Sequence, residues 1–255
     1  MGVHAPRFVY TLYERRLLKS LRGAEVPRHV AVMLDGNRRW ARNQGRSATF
    51  GHQAGASKIV DFLRWCEEAH IEVVTLWLLS TDNLKRDPSE VEPLLDIIAG
   101  VVEDLARRHR YPVRIVGNTD LLPADVAARL HAAVATTADL HSMAVNIAVG
   151  YGGRQEIADA VRAYLAEQAE AGRTLAEVAD AVTMDDITEH LYTRGQPDPD
   201  LVIRTSGEQR MSGFLLWQSV HTELYFTEAY WPDFRRTDFL RALRDYSQRE
   251  RRRGL

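Results

Sequence analysis

The chain has 255 residues, 45% of them apolar, which is long for one domain but within the range of a single α/β unit with a substantial core. Thirty-three basic against thirty-five acidic residues leave a net charge of -2, which gives no general attraction to nucleic acid, so any anion site has to be local. Cys66 is the one cysteine, set in DFLRWCEEA, which excludes a disulfide framework and a cysteine-based metal centre and leaves packing as its expected role.

The first segment, FVYTLYERRLLKSLRG, predicts an amphipathic helix within residues 1–25. Phe8, Leu12, Leu18 and Leu21 fall near one face, and Arg15, Arg16, Lys19 and Arg22 fall elsewhere. Such a helix is a candidate for peripheral contact with a membrane surface, but packing against its own domain is the favoured expectation. No signal-peptide core precedes it, and no apolar stretch approaches the ~20 residues that span a bilayer, so a cytoplasmic protein is expected.

Beyond it, residues 26–255 read as one domain. Strand-like runs recur at 30–34, 73–79, 113–116, 145–149, 201–203 and 223–226, and helical patterns fill 51–69, 89–107, 123–137, 154–171 and 237–253. Ser89 with Glu92, and Thr174 with Glu177, stand at capping-box spacing. Alternating strands and helices predict an α/β fold with a mostly parallel central sheet of about six strands covered by helices.

Residues 29–45, HVAVMLDGNRRWARNQG, carry the most chemistry. A short apolar run ends at Asp35, which places that carboxylate at the carboxyl end of a strand, where ligands collect in open α/β sheets. Gly36 permits close approach to the backbone, and Asn37 is expected to cap the following helix. A carboxylate, a glycine, Arg38 and Arg39 within five residues suit a diphosphate that carries magnesium. His52 opens a later helix, a location from which it can donate to phosphate. After the second strand, Ser80, Asn83 and Arg86 offer a hydroxyl, an amide and a guanidinium, and Arg204, Arg210 and Ser212 gather two charged forks and a hydroxyl near a glycine-containing loop.

Taken together, these segments resemble the cis-prenyltransferases of the undecaprenyl diphosphate synthase type. The likeness rests on LDGNRRWA, on FGHQAGA at 50–56, LLSTDNLKR at 78–86, DLVIRTSGEQRMSGFLLWQ at 200–218 and TELYFTEAYWPDF at 222–234, in that order. It implies the fold of that family and a transferase that joins isopentenyl diphosphate to an allylic diphosphate, geranyl or farnesyl, with a new cis double bond and loss of pyrophosphate. It implies Asp35 and Asn83 as catalytic residues. Asn83, a poor base, would orient substrate or relay a proton to a diphosphate oxygen. Gly36, Asn37, Arg38, Arg39, Trp40 and His52 are implied on the allylic side, Ser80, Thr81, Asp82, Leu84 and Arg86 in the loop after the second strand, and Arg204, Arg210, Met211 and Ser212 around isopentenyl diphosphate. Asp35 and Glu223 are implied as magnesium carboxylates. Arg252 and Gly254, in an RxG ending, are implied to complete the neighbouring site of a homodimer. Leu78 occupies a wall position where long-chain members carry alanine, which implies a short product such as Z,E-farnesyl diphosphate.

Several positions depart from the long-chain pattern: Arg38 replaces glycine, Ala48 an arginine, Asp82 a glutamate and Gln209 a histidine. Two other readings compete. A phosphohydrolase with Asp35 as nucleophile would need the second aspartate that Asp-Gly-Asn lacks. A non-catalytic prenyl-lipid-binding subunit would have shed motif residues that this chain keeps. The sequence Asp185-Asp-Ile-Thr-Glu189 superficially resembles the aspartate-rich motif of the all-helical trans-prenyltransferases, but after Thr183 it reads as a helix start.

Overall fold

The computed structural model describes residues 7–249, with side chains from residue 12. Six strands form one sheet: β1 (His29–Met33), β2 (Val73–Ser80), β3 (Val113–Val116), β4 (Ala144–Tyr151), β5 (Leu201–Arg204) and β6 (Glu223–Phe226). Their order is β3-β4-β2-β1-β5-β6, and every pairing is parallel. Helices cover one face of β1, and Phe214 and Leu215 of the turns after β5 cover the other, which is why β1 is buried along its whole length instead of alternating with solvent. Val30 and Val32 enter the larger core, beneath α3 (Ala48–Glu68), α4 (Pro88–Arg108) and α9 (Arg236–Gln248). Ala31 and Met33 enter the opposite core with Tyr151, Phe214 and Leu215. Cys66 is buried in the larger core, as expected, and burial raises its thiol pKa.

The order of the strands positions the site. From β1 the chain turns to one side to make β2 and β4, and later returns on the other side of β1 to make β5, so the sheet has a switch point at β1. Met33 of β1 pairs with Arg204 of β5 and with Trp77 of β2. The next residues of all three strands therefore emerge around one crevice. A bulge refines it: Trp77 pairs with Ala148 and Leu79 with Val149, so Leu78 has no partner of its own in β4. A bulge re-aims the extra side chain, and here that residue borders the crevice.

Two local expectations are corrected. Asp87, not Ser89, caps α4; its carboxylate accepts from the Ser89 N–H at 2.9 Å, and Pro88 holds the first helical position. In α1 (Arg7–Ser20), Leu12 and Leu18 are exposed, whereas Leu17 is buried and Tyr13 and Leu21 pack beside it. The buried stripe is thus Tyr13, Leu17 and Leu21, at four-residue spacing against α9, with Arg241 Nε donating to Tyr13 Oη at 3.2 Å. The Phe8 side chain lies outside the described residues. Thr174 and Glu177 form the expected capping box on α7 (Leu175–Ala181), and Asp185 and Asp186 begin α8 (Met184–Thr188) as a helix start.

Candidate active site

Asp35 follows β1 and is held by its backbone. Its N–H donates to Thr205 Oγ1 at 2.9 Å, and its carbonyl accepts from Trp231 N–H at 3.0 Å. The carboxylate is fixed on both sides, by Gly36 N–H on Oδ1 (2.8 Å) and by Arg204 Nη2 on Oδ2 (3.0 Å), yet 39% of the side chain is open to the cleft. Gly36 has φ 98°, and a Cβ there would stand 2.6 Å from Tyr230 Cδ1 and 2.8 Å from Ser206 Cβ. No larger residue fits this turn.

Around Asp35 the cleft has two lobes that share Leu34, Asp35, Arg39, Leu78, Asn83 and Arg86. The lobe on the β5 side, about 450 Å³, adds Ser80, Arg204, Glu208, Arg210 and Ser212. The lobe on the α2 side, about 310 Å³, adds Gly36, Asn37, Arg38, Arg42 and His52. An apolar cavity of about 30 Å³ opens from the second lobe, sharing Leu34, Asn37, His52, Leu78 and Leu94 with it and closed by Ile97, Val101 and Trp231.

In the β5 lobe Arg204 is the buried fork. Its Nη1 donates to Ser212 Oγ at 2.8 Å and to the Arg210 carbonyl, its Nη2 to Asp35, and its Nε is buried without a partner in the protein. Ser206 and Ser212 both have positive φ, 75° and 48°, and such strain persists only where surrounding contacts over-determine the loop. Arg39 crosses from the other lobe: its Nη2 donates to Ser206 Oγ at 2.6 Å, and the guanidinium lies over the Tyr230 ring, 5.7 Å from its centroid.

On the α2 side, burial pushes the pKa of His52 down to about 4, with Arg86 and Arg38 acting in the same direction and Glu90 opposing them. The ring is therefore neutral at neutral pH and can offer an N–H but not a cation. His52 Nε2 and Asn37 Oδ1 are both buried without a protein partner. Buried polar atoms are costly to leave unpaired, and their concentration here with Arg204 Nε suits a cleft built for a polar ligand.

Several predicted site residues stand elsewhere. Asn37 is not the helix cap. It begins α2 (Asn37–Asn43), its Nδ2 donates to the Leu34 carbonyl at 3.0 Å, and the capping position belongs to Gly36. Because α2 has seven residues, the arginine forks, and not a long helix end, supply the positive charge. Trp40 stacks on Phe50, with centroids 5.8 Å apart, and does not line the cleft. Nor do Thr81, Asp82, Leu84 and Met211: Asp82 pairs with Lys85 in solvent, and Leu84 and Met211 pack against the two cores. Glu223 does not join Asp35 within one chain. It begins β6 opposite Leu201, three residues before the level of Arg204, and is paired with Arg249. Arg252 and Gly254 lie outside the described residues.

Arg42, Glu90 and Glu208 escaped the sequence reading. Arg42 had a usable signal, since it follows Arg38 by four residues on one helix and so shares its face. Glu208 was visible inside SGEQR, but nothing in the sequence shows that it faces arginines from two elements. Residues 33–254 match the Prenyltransf family model, that of undecaprenyl diphosphate synthases. The chain is 58% identical over 254 residues to an isoprenyl transferase 1 of Corynebacterium efficiens, covering 99% of each chain. It is 56% identical over 261 residues to a (2Z,6E)-farnesyl diphosphate synthase of Mycobacterium tuberculosis strain H37Rv, covering 100% of each. Lavandulyl diphosphate synthase of Lavandula x intermedia, solved with dimethylallyl diphosphate, superposes with a TM-score of 0.83 at 33% identity, over 90% of this chain and 99% of that one.

Proposed function

The chain belongs to the undecaprenyl diphosphate synthase family and is a cis-prenyltransferase; within that activity, we propose that it condenses isopentenyl diphosphate with a short allylic diphosphate and stops at a fifteen-carbon Z,E product. The observation that carries this reading is the meeting of two basic lobes at Asp35, with a small apolar cavity beside them that shares Leu34 and Leu78 with both and has most of its common wall with the α2 lobe. Two diphosphates match the two lobes, and the apolar wall marks the side on which a prenyl tail begins.

The allylic diphosphate occupies the α2 lobe, held by Arg39 with Arg38, Arg42 and Arg86, and its tail lies toward Leu34, Leu78 and Leu94, where the small apolar cavity has to widen to admit it. Isopentenyl diphosphate occupies the β5 lobe, held by Arg204, Arg210 and Ser212. Charge-assisted forks are the contacts that recognise phosphate oxygens most strongly. The homoallylic double bond attacks the allylic C1, the C1–O bond breaks as pyrophosphate departs, and the proton lost from the isopentenyl unit passes to a diphosphate oxygen. Arginines poised on the leaving group stabilise the charge that develops there. Asn83 lines both lobes and its N–H is tied to Ser80 Oγ at 3.1 Å, which supports a role in orienting substrate between them.

The residues also fit magnesium. Asp35 offers a hard, partly open carboxylate beside the diphosphate sites, and Mg²⁺ is commonly held by one or two carboxylates together with substrate phosphates and water. When bound, the ion neutralises the leaving diphosphate. A homodimer is part of the same reading. Arg249, at the end of α9, pairs with Glu223 at the end of β6 away from the cleft of its own chain, which supports reading Arg252 and Gly254 as serving a neighbouring chain. Among the described residues no helix is long and apolar enough to cross a membrane.

Purified protein incubated with magnesium, labelled isopentenyl diphosphate and a panel of allylic primers tests the proposal. Incorporation is expected with a short primer, stopping at fifteen carbons. No incorporation with any primer would overturn the substrate assignment.

A further inference from the structure

Two glutamates, Glu208 in the cleft wall and Glu90 behind it, each contact two of the cleft's arginines. Glu90, on the first turn of α4, receives Arg86 Nη1 at 2.9 Å and Arg38 Nη1 at 3.3 Å on the same oxygen, Oε1. Glu208, in the loop after β5, receives Arg39 Nη2 at 3.2 Å on Oε1 and Arg210 on Oε2. Arg38 and Arg39 are neighbours on α2, so adjacent forks are drawn to opposite sides, one toward each glutamate. Glu208 also ties the two lobes together, since Arg39 belongs to both and Arg210 only to the β5 lobe.

We propose that Glu90 and Glu208 are positioning residues that act as internal stand-ins for substrate phosphate. They hold the arginine forks in register, yield them to an incoming diphosphate and retake them as pyrophosphate leaves. The argument is one of matched chemistry and modest strength. A carboxylate and a phosphate present the same paired oxygens to a guanidinium fork, so both compete for one geometry. The glutamate side chains are 22% and 27% exposed and their arginine partners 32–63%, and ion pairs of that exposure are weak enough to exchange. Arg204 provides the contrast. Only 5% exposed, and fixed by Asp35 and Ser212, it is a permanent part of the wall.

The inference rests on the reading of these arginines as diphosphate ligands, and the experiment separates the two. Titration calorimetry of the full chain with inorganic pyrophosphate is performed on wild type, Glu90→Gln, Glu208→Gln, Arg39→Ala and Arg204→Ala, with melting curves as the control for folding. Glutamine keeps the size of glutamate and removes its charge. Each glutamine variant is expected to bind pyrophosphate on the order of ten-fold tighter and to show a lower kcat, with deeper inhibition by pyrophosphate, as product release slows. A purely structural role predicts the opposite, weaker binding in a less stable protein. Folded glutamine variants with unchanged or weaker affinity, alongside arginine variants that lose binding, would overturn the stand-in role alone. Arginine variants that bind pyrophosphate like wild type would overturn the diphosphate reading beneath it.

Discussion

The polar lobes and the apolar cavity of this cleft are built on different principles. Around Asp35 the residues are over-determined: backbone bonds from Gly36 and Thr205, a buried Arg204 and positive-φ serines fix charges in place before any ligand arrives. Along the cavity the lining is mostly apolar and carries no charge, and what governs it is volume, bounded by Leu34, Leu78, Leu94, Ile97 and Trp231. Chemistry therefore depends on preorganised charge that many groups share, whereas product length depends on the bulk of a few side chains. The contrast teaches that a mutation in the first region should change rate or affinity, and one in the second should change the product.

The hardest test of the charged region is Asp35→Ala. It removes the carboxylate at the junction of the lobes, and loss of a contact to transition-state charge commonly costs on the order of 100-fold or more in kcat. Near-normal turnover by the folded variant would remove Asp35 from the mechanism. Next in size is a division between the lobes. Arg204→Ala should raise the KM for isopentenyl diphosphate by roughly 10-fold or more, and Arg39→Ala should do so mainly for the allylic primer, because each removes a charge-assisted phosphate contact. Steady-state kinetics with each substrate varied in turn check this, and equal defects toward both substrates in both variants would merge the lobes into one site.

Truncation after Arg249 asks whether the charged region is complete within one chain. Activity should fall about 10-fold or more while the melting temperature stays near that of the full chain, as expected if a neighbour's tail adds a charge-assisted contact. Sedimentation paired with the assay would refute the shared site if it found a fully active monomer.

A smaller effect is expected at the far end of the strands, where polar groups serve stability. His29 is buried, with Nε2 at 2.8 Å from Thr75 Oγ1 and Nδ1 at 2.8 Å from the Pro197 carbonyl, and burial lowers its pKa to about 4. Below the ordinary histidine pKa near 6.5 the unfolded chain takes up a proton that the folded chain refuses. Stability should thus fall as pH drops from 6.5 toward 4, by about 1–3 kcal/mol from this residue. Denaturant melts at pH 7 and pH 5 measure it, and His29→Gln should flatten the dependence.

Much of this molecule is legible in its sequence. All six strands begin and end within two residues of the predicted runs, because parallel strands buried on both faces write continuous apolar segments such as VAVM and VVTLWLL. Asp35, Arg39, Arg204, Arg210 and Ser212 line the cleft because strand ends at a switch point converge whatever the loops do. What the sequence hides is the direction of side chains in the loops. Thr81, Asp82 and Leu84 sit in the same short segment as Ser80 and Asn83, yet Thr81 packs beside Gly152, Asp82 pairs with Lys85 and Leu84 packs against the core. Glu223 stands apart for a related reason: its strand is adjacent to β5, but register sets it at the end of the sheet away from Asp35 of the same chain. The bulge at Leu78 is equally invisible in LWLLS, and it is the feature that brings this leucine to the cleft wall.

Leu78 offers the most direct test of the division between charge and volume. The cavity beyond it has room for little more than a water-sized group, and truncating leucine to alanine opens methyl-sized volumes in its wall without touching an arginine. Products from a geranyl diphosphate primer are to be chromatographed for wild type and Leu78→Ala side by side, with total incorporation of labelled isopentenyl diphosphate measured in both. The account predicts a fifteen-carbon product from wild type and longer chains from the variant at comparable incorporation. Long chains from wild type, or a variant whose product length is unchanged, would contradict it.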